Sequence, residues 1–325
     1  VQGNYIGTDA GGAFAVQNGW GGLEILNDAS LNTVGGANPA ARNIVSGNDG
    51  HGIQLANGAN NNVVENNYVG CDVDGNATLG IAGNGILISE AFSNAVGGMS
   101  EDARNVIAAN VQNGVSIAGV GATKNRVIGN HIGTDWAGEL DLGNTLSGVR
   151  IAAGAAYNEI GGQLPGLGNL ISGNEMEGVR ISGAGSEQNT VAGNLIGVNQ
   201  DGTRALANQH EGVQLSDGAA HNTLGGASET AINLVSGNIE LGIRVFGSGT
   251  SFNVISGNYI GLDVTGAYAV ANEAAGIRVA DGASENIIGG IAEHAGNAIS
   301  GNASMAVDIA GTGSSRNQVL GNLIG

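Results

Sequence analysis

Asn4-Tyr5-Ile6-Gly7 returns as Asn67-Tyr68-Val69-Gly70, Asn130-His131-Ile132-Gly133, Asn194-Leu195-Ile196-Gly197, Asn258-Tyr259-Ile260-Gly261 and Asn322-Leu323-Ile324-Gly325. Subtracting start positions gives spacings of 63, 63, 64, 64 and 64 residues. A fixed period of this size along a whole chain describes a solenoid or propeller, not a globule with one central core. Working outward from the tetrapeptide, each repeat holds six short apolar alternations. In the first they are Gly22-Leu23-Glu24-Ile25, Asn32-Thr33-Val34, Asn43-Ile44-Val45, Gly52-Ile53-Gln54-Leu55, Asn62-Val63-Val64 and Asn67-Tyr68-Val69. They form two similar triplets: G-[VIL]-x-[VIL], then N-x-[VIL] twice. β-Branched residues at alternate positions, closed by Gly and Asn turns, read as short strands of a sheet that winds on itself. Gly and Asn every few residues disfavour helix.

The chain is therefore expected to be all-β: a parallel β-helix (solenoid) of about ten coils, three short strands per coil, with two coils in each of five repeats of 63–64 residues. Coils stacked at roughly 4.8 Å make a rod on the order of 50 Å long. Three coils per repeat would need nine strands where six are visible. The interval from Asn32 to Asn43, or from Asn286 to Asn297, is 11 residues in all five repeats, and its six-residue connection carries both prolines, Pro39 and Pro165, as a loop should. The connection from Gly7 to Gly22 always contains 14 residues. Residues 1–325 read as a single β-helix domain, and the shared repeat phase of Val1 and Gly325 leads us to expect a segment of a longer repeat protein.

Composition agrees. Hydrophobic residues make up 42% and charged residues 12% of the chain, so it can bury enough apolar surface to fold. The 61 glycines have no three-residue period, which excludes collagen, and no apolar run reaches the length of a membrane span. A net charge of −18 argues against nucleic acid as partner and suits an extracellular or cell-surface protein. Cys71 is the single cysteine, so no disulfide forms within the chain.

On the strength of N-x-I-G-T-D-x-x-G and N-x-I-S-G-N, the chain resembles the right-handed parallel β-helix proteins of the pectin-lyase-like superfamily, and among them long secreted bacterial repeat proteins. The resemblance covers the whole chain and implies the fold. It implies little about activity, because that fold carries polysaccharide lyases, hydrolases, epimerases, tailspikes and adhesins.

Function must come from the columns that repeats stack on one another. Asn48, Asn110, Asn174, Asn238 and Asn302 share one turn position and the N-x-[VIL] asparagines another. Stacked amides can bond along the rod and tolerate left-handed turns. The 14-residue loop opens with Asp9, Asp72, Asp135, Asn199 and Asp263, each followed three residues later by Gly, a type I turn signature. Calcium is the sharper alternative, and only Asp72 and Asp74 put two carboxylates into one such turn; no cofactor is otherwise required. The third strand carries Tyr5, Ile44, Tyr68, Val106, Leu170, Leu195, Leu234 and Tyr259 where an outward side chain is expected, with His131 the exception. A strand apolar on both faces must be covered. Either the loop folds over it, through Val16, Leu79, Leu142, Leu206 and Val270, or Tyr5, Tyr68 and Tyr259 mark an interface with another chain or with flat sugar rings.

The least regular column is the x of G-[VIL]-x-[VIL]: Glu24, Gln54, Leu87, Ser116, Arg150, Arg180, Gln214, Arg244, Arg278 and Asp308. Four of the nine arginines fall on one line in an acidic protein. Guanidinium groups at regular spacing match a row of carboxylates or sulfates. Arg150, Arg180, Gln214, Arg244 and Arg278 are therefore expected to bind an acidic polysaccharide or cell-surface glycan; the alternative is an exposed strand face paired with Glu177 and Glu211. The lyase and epimerase members of the resembled superfamily place basic groups beside acidic ones on one strand face, which here makes Arg180 or His210, with Glu177 or Glu211 nearby, the candidates for catalysis. The resulting expectation is a structural or adhesive β-helix that binds acidic polysaccharide, with a uronate lyase or epimerase as the alternative. A third reading is a scaffold stiffened by calcium or assembled end to end or laterally.

Overall fold

The computed structural model describes residues 1–325 and winds them into a right-handed parallel β-helix. Three parallel sheets run its whole length. Sheet 1 has ten strands, from Leu23–Leu26 to Val307–Ala310, sheet 2 ten from Thr33–Gly35 to Gln318–Leu320, and sheet 3 eleven from Tyr5–Ile6 to Leu323–Ile324. The six strands expected in the first repeat are all present, each within a residue of its place. Two coils per repeat is the observed arrangement.

Each coil sends four apolar side chains inward, two from sheet 1 and one from each of the others. In the second coil these are Ile53, Leu55, Val64 and Val69, and such residues merge into one continuous core of 42 buried side chains. Full burial of one such aliphatic side chain is worth about 1.5–3 kcal/mol.

Three ladders of asparagine brace the corners. One climbs from Asn32 through Asn62, Asn94, Asn125 and onward to Asn317, each side-chain amide donating to the next at 2.9–3.1 Å. A second runs from Asn4 through Asn43, Asn67 and Asn105 to Asn322. In the third, the turn residues Asn110, Asn174, Asn238 and Asn302 alternate with Asn144, Asn208 and Asn272 from the 14-residue loops. The repeat pattern pointed to the first two and to half of the third. The loop asparagines are every second rung, and their position is visible only once the loop is folded back.

The loop does fold over sheet 3. Cys71 and Val73 pack on Ile44, Tyr68 and Val106, and Val198 and Val270 pack on Leu234 beside Leu195 and Tyr259. Of the loop positions expected to make this cover, Val270 is buried, while Val16 lies exposed. Gly75 shows why the turn needs its glycine: φ is +67°, and a Cβ there would stand 2.7 Å from the Tyr68 ring. Tyr68 is consequently not an interface residue. It is 6% exposed beneath its loop, with the Arg42 guanidinium 4.1 Å from the ring centre. Tyr259 is half-buried under the Asp263–Gly266 turn, and Tyr5 alone of the three is exposed.

Candidate functional site

Sheet 1 aligns the irregular column in register. Ser116 pairs with Arg150, Arg150 with Arg180, Arg180 with Gln214, Gln214 with Arg244, Arg244 with Arg278 and Arg278 with Asp308. The flanking strand residues, such as Val149 and Ile151, point into the core, so the column faces outward.

A second polar column runs alongside, at the residue before the glycine of each motif: His51, Asn84, Asn113, Ser147, Glu177 and Glu211. It turns apolar at Leu241, Ala275 and Met305. Glu177 and Glu211 were expected beside the arginines, but that they belong to a run of six polar residues on successive rungs, just outside the strand motif, is visible only in the folded chain. Its members bond along the rod. The Asn84 N–H donates to His51 Nδ1 at 3.0 Å, the Asn113 amide to Asn84 Oδ1 at 2.8 Å, and Ser147 Oγ to Glu177 Oε2 at 2.8 Å. Burial holds the His51 imidazole below the usual histidine range, with the Glu24 carboxylate offsetting part of that effect.

Glu177 and Glu211 are 2% and 1% exposed. Such carboxylates need partners, and the neighbouring column supplies them. Arg180 Nη1 lies 3.7 Å from Glu177 Oε1 and Arg244 Nη1 3.0 Å from Glu211 Oε1, while the Gln214 amide donates to Glu211 Oε2 at 3.4 Å. Arg180 also approaches Asp217 at 3.9 Å and Arg278 approaches Asp308 at 3.4 Å. Arg180 and Arg244 thus pair with Glu177 and Glu211, as the paired-strand-face alternative has it, whereas Arg278 pairs with Asp308 instead. Arg150 differs. It makes no ion pair, and burial followed by the Arg180 charge pulls its pKa down, with Glu177 acting in the opposite sense. The Nε atoms of Arg180 and Arg244 and Gln214 Oε1 are buried without a hydrogen-bond partner.

Removing the Arg244 guanidinium strands a nearly inaccessible carboxylate. Arg244→Met is expected to cost about 2–3 kcal/mol, somewhat less than the about 3–5 kcal/mol of breaking a fully buried pair, because Arg244 is itself one-third exposed. Arg278→Met, whose partner is better solvated, should cost under about 1 kcal/mol. Urea midpoints of the two variants check this; equal midpoints would mean the Glu211 pair adds nothing special.

Of the candidate catalytic residues, Arg180 lies beside Glu177, and His210 lies beside Glu240 at 3.5 Å. His210, Glu211 and Glu240 have acid–base atoms within 4.8 Å of one another. A metal does not suit this trio, because Arg244 already neutralises Glu211 and would repel a cation. The trio can hold or move a proton at the edge of the arginine column, and the column can donate hydrogen bonds to an anion. In the Asp72 turn, Oδ1 accepts the N–H groups of Asn76 and Ala77 at 3.0 and 3.1 Å, and Asp74 is exposed. Asp9, Asp135 and Asp263 make the same bonds in their own turns, and so does the neutral Asn199. The turn therefore closes without a carboxylate charge.

No protein-family model matches the chain, and no curated protein matches it. Solved structures similar to it include a double mutant of the periplasmic alginate epimerase AlgG, at 15% identity over 93% of this chain and 70% of that one, with a TM-score of 0.49. The A-module of the Azotobacter vinelandii mannuronan C-5 epimerase AlgE6 aligns at 13% identity over 100% of this chain and 89% of that one, with a TM-score of 0.42. The Dettilon tailspike protein aligns at 15% identity over 90% and 60%, with a TM-score of 0.37. At these values the fold stands on the three sheets of this chain, and its site on its own residues.

Proposed function

We propose that this protein is a secreted or cell-surface β-helix with a structural or adhesive role, and that sheet 1 holds an acidic polysaccharide. The observation that carries the reading is Arg150, a half-buried guanidinium with no partner among 28 acidic residues, in register with Arg180, Gln214, Arg244 and Arg278. The glutamates beneath Arg180 and Arg244 fix those side chains while leaving further N–H donors for a ligand, which lowers the ordering cost of binding. A charge-assisted hydrogen bond to a carboxylate is worth about 1.5–3 kcal/mol. Arg150→Gln is therefore expected to weaken binding of a uronic-acid oligomer about tenfold or more by calorimetry, with the melting temperature unchanged. A neutral gluco-oligomer of the same length should bind far more weakly. Equal affinity for the two oligomers, or an unaltered Arg150→Gln variant, would sink the proposal.

A uronate lyase or epimerase is the second reading, favoured by His210, Glu211 and Glu240 lying together beside Arg244. It requires that a uronan incubated with the protein change its bonding or its C5 configuration, seen by NMR, and that a folded Arg180→Ala variant leave it unchanged.

A further inference from the structure

The connections between sheets 2 and 3 alternate between long and short, so each of the first four repeats carries a groove where two long connections flank a short one. The repeats act as internal controls for one another at this place. In the first, Arg42 fills the groove: its guanidinium lies over the Tyr68 ring at 4.1 Å and its Nε donates to Asn66 Oδ1 at 3.0 Å. Arg104 holds the equivalent position in the second repeat, each arginine standing just before a ladder asparagine, Asn43 or Asn105. Both partners, however, have been replaced. Gly129 stands where the first repeat has Asn66, and His131 where it has Tyr68, on the rung after Val106 as Tyr68 is on the rung after Ile44. The later repeats have Gly168, Ile232 and Gly296 in place of the arginine. Only the second repeat keeps the cation and removes both groups that would satisfy it.

What remains is a cavity of about 320 Å³, lined by Arg104, His131, Glu101, Asn130, Leu170 and Gln200 among others. That volume lies at the lower end of the about 300–1,000 Å³ range of small-molecule sites. Two polar atoms there are buried without a partner, Arg104 Nε and His131 Nε2, and His131 is only 2% exposed. Their roles are fixed by chemistry. His131 Nδ1 lies 3.2 Å from the Asp135 carbonyl oxygen, which can only accept, so Nδ1 carries the proton and Nε2 presents a lone pair. Burial, reinforced by the Arg104 charge, pushes the imidazole down to about 4, so it is neutral at pH 7. Gln200, on the cavity wall, is the one side chain placed to act on His131 as a hydrogen-bond partner, yet His131 Nε2 is left unbonded; the cavity gives that atom no settled donor and gives Arg104 no acceptor. Glu101, the one carboxylate on its wall, is exposed and forms no ion pair with Arg104.

We propose that this cavity binds a hydroxy acid of monosaccharide size, whose hydroxyl donates to His131 Nε2 and whose carboxylate accepts from Arg104. It lies against sheet 3 and is independent of the arginine column on sheet 1. The acid can be a free sugar acid or a unit of a longer chain. The test uses the full chain titrated with D-glucuronate, D-glucose and pectate, followed by calorimetry and by the imidazole nitrogen shifts of His131. Glucuronate is expected to bind at one saturable site and move the His131 Nε2 signal, with glucose at least tenfold weaker. His131→Leu restores the residue type of the next rungs, Leu170 and Leu195, and should fold yet lose glucuronate at least tenfold, as should Arg104→Gln. Arg316→Gln, at an exposed arginine paired with Glu285 and outside both sites, should bind it unchanged. A His131 Nε2 signal that pectate also moves identifies the acid as part of a chain; a signal that glucuronate moves and pectate does not identifies a free acid. No saturable binding of glucuronate, a His131 signal that stays still, or full affinity in His131→Leu overturns the proposal.

Discussion

Replacing Asn194 by Leu should be among the most damaging single changes in this chain, lowering stability by about 4–6 kcal/mol. The side chain is fully buried at the middle of its ladder. Its amide donates to the carbonyls of Ile160 and Ala192 and to Asn233 Oδ1, at 2.9–3.0 Å, and its Oδ1 accepts both the N–H and the amide of Asn169. Leucine has nearly the same size, so the effect isolates hydrogen bonding from packing. It leaves several buried polar groups unpaired, each costing about 1–3 kcal/mol and not fully additive. Stability in a solenoid is close to nearest-neighbour, so the damage should be local. Hydrogen exchange should show protection lost in the coils around Asn194 and largely kept near Ile53 and Leu55. Asn322→Leu, at a part-exposed rung with fewer bonds, should cost much less. Similar urea midpoints for the two variants would mean the ladders are incidental to stability.

The second large effect is on acid stability. His131 has a pKa of about 4 in the folded chain against 6.5 for the ordinary imidazole, chiefly because it is buried, then because of Arg104; the Asp135 carbonyl, the Gln200 side chain and the Asp135 carboxylate act in the opposite direction. Between those two values the unfolded chain binds a proton that the folded chain does not. Stability from this group is therefore complete above pH 6.5 and falls as the pH drops toward 4, by about 3 kcal/mol in all. Carboxylates add their own acid sensitivity, so the comparison that matters is with His131→Leu, which cannot titrate there. The difference in unfolding free energy between the two proteins should shift by about that amount from pH 7 to pH 4, in favour of the variant. A constant difference across that range would show that His131 is solvated or already paired.

The fold was legible because the chain repeats its own grammar. Gly, Asn and alternate aliphatic residues recur at positions that a coil imposes, so a motif such as Asn258-Tyr259-Ile260-Gly261 reads directly as strand, ladder and turn. The candidate site was harder, for two physical reasons. Side chains one rung apart meet in space while some 30 residues separate them in sequence, so the pairing of Arg244 with Glu211 rather than with Glu240 depends on rotamers that no spacing reveals. The turn residue before each motif glycine also lies outside the strand, which hid Ser147 and Asn113 as members of a buried polar column. Tyr68 failed as an interface residue for a related reason: an aromatic on an outward position looks the same in sequence whether or not a loop lies over it. His131 stood out as the polar break in an apolar column, but that Arg104 lies in the same cavity needed the structure.

Both proposed sites turn on unpaired arginines in an acidic protein, Arg150 on sheet 1 and Arg104 against sheet 3. The repeat architecture makes such exceptions informative: where every rung is built alike, a residue that departs from its column and leaves polar atoms unsatisfied is not explained by the fold. The most direct test of the central claim is native electrophoresis through gels cast with alginate, pectate or a neutral glucan and stained afterwards for polysaccharide. Retardation in the acidic gels alone, relieved in Arg150→Gln, is the result expected of a polysaccharide-binding face on sheet 1, and a cleared zone at the band would add catalysis to binding. Unchanged mobility and an intact stain in all three gels would contradict it.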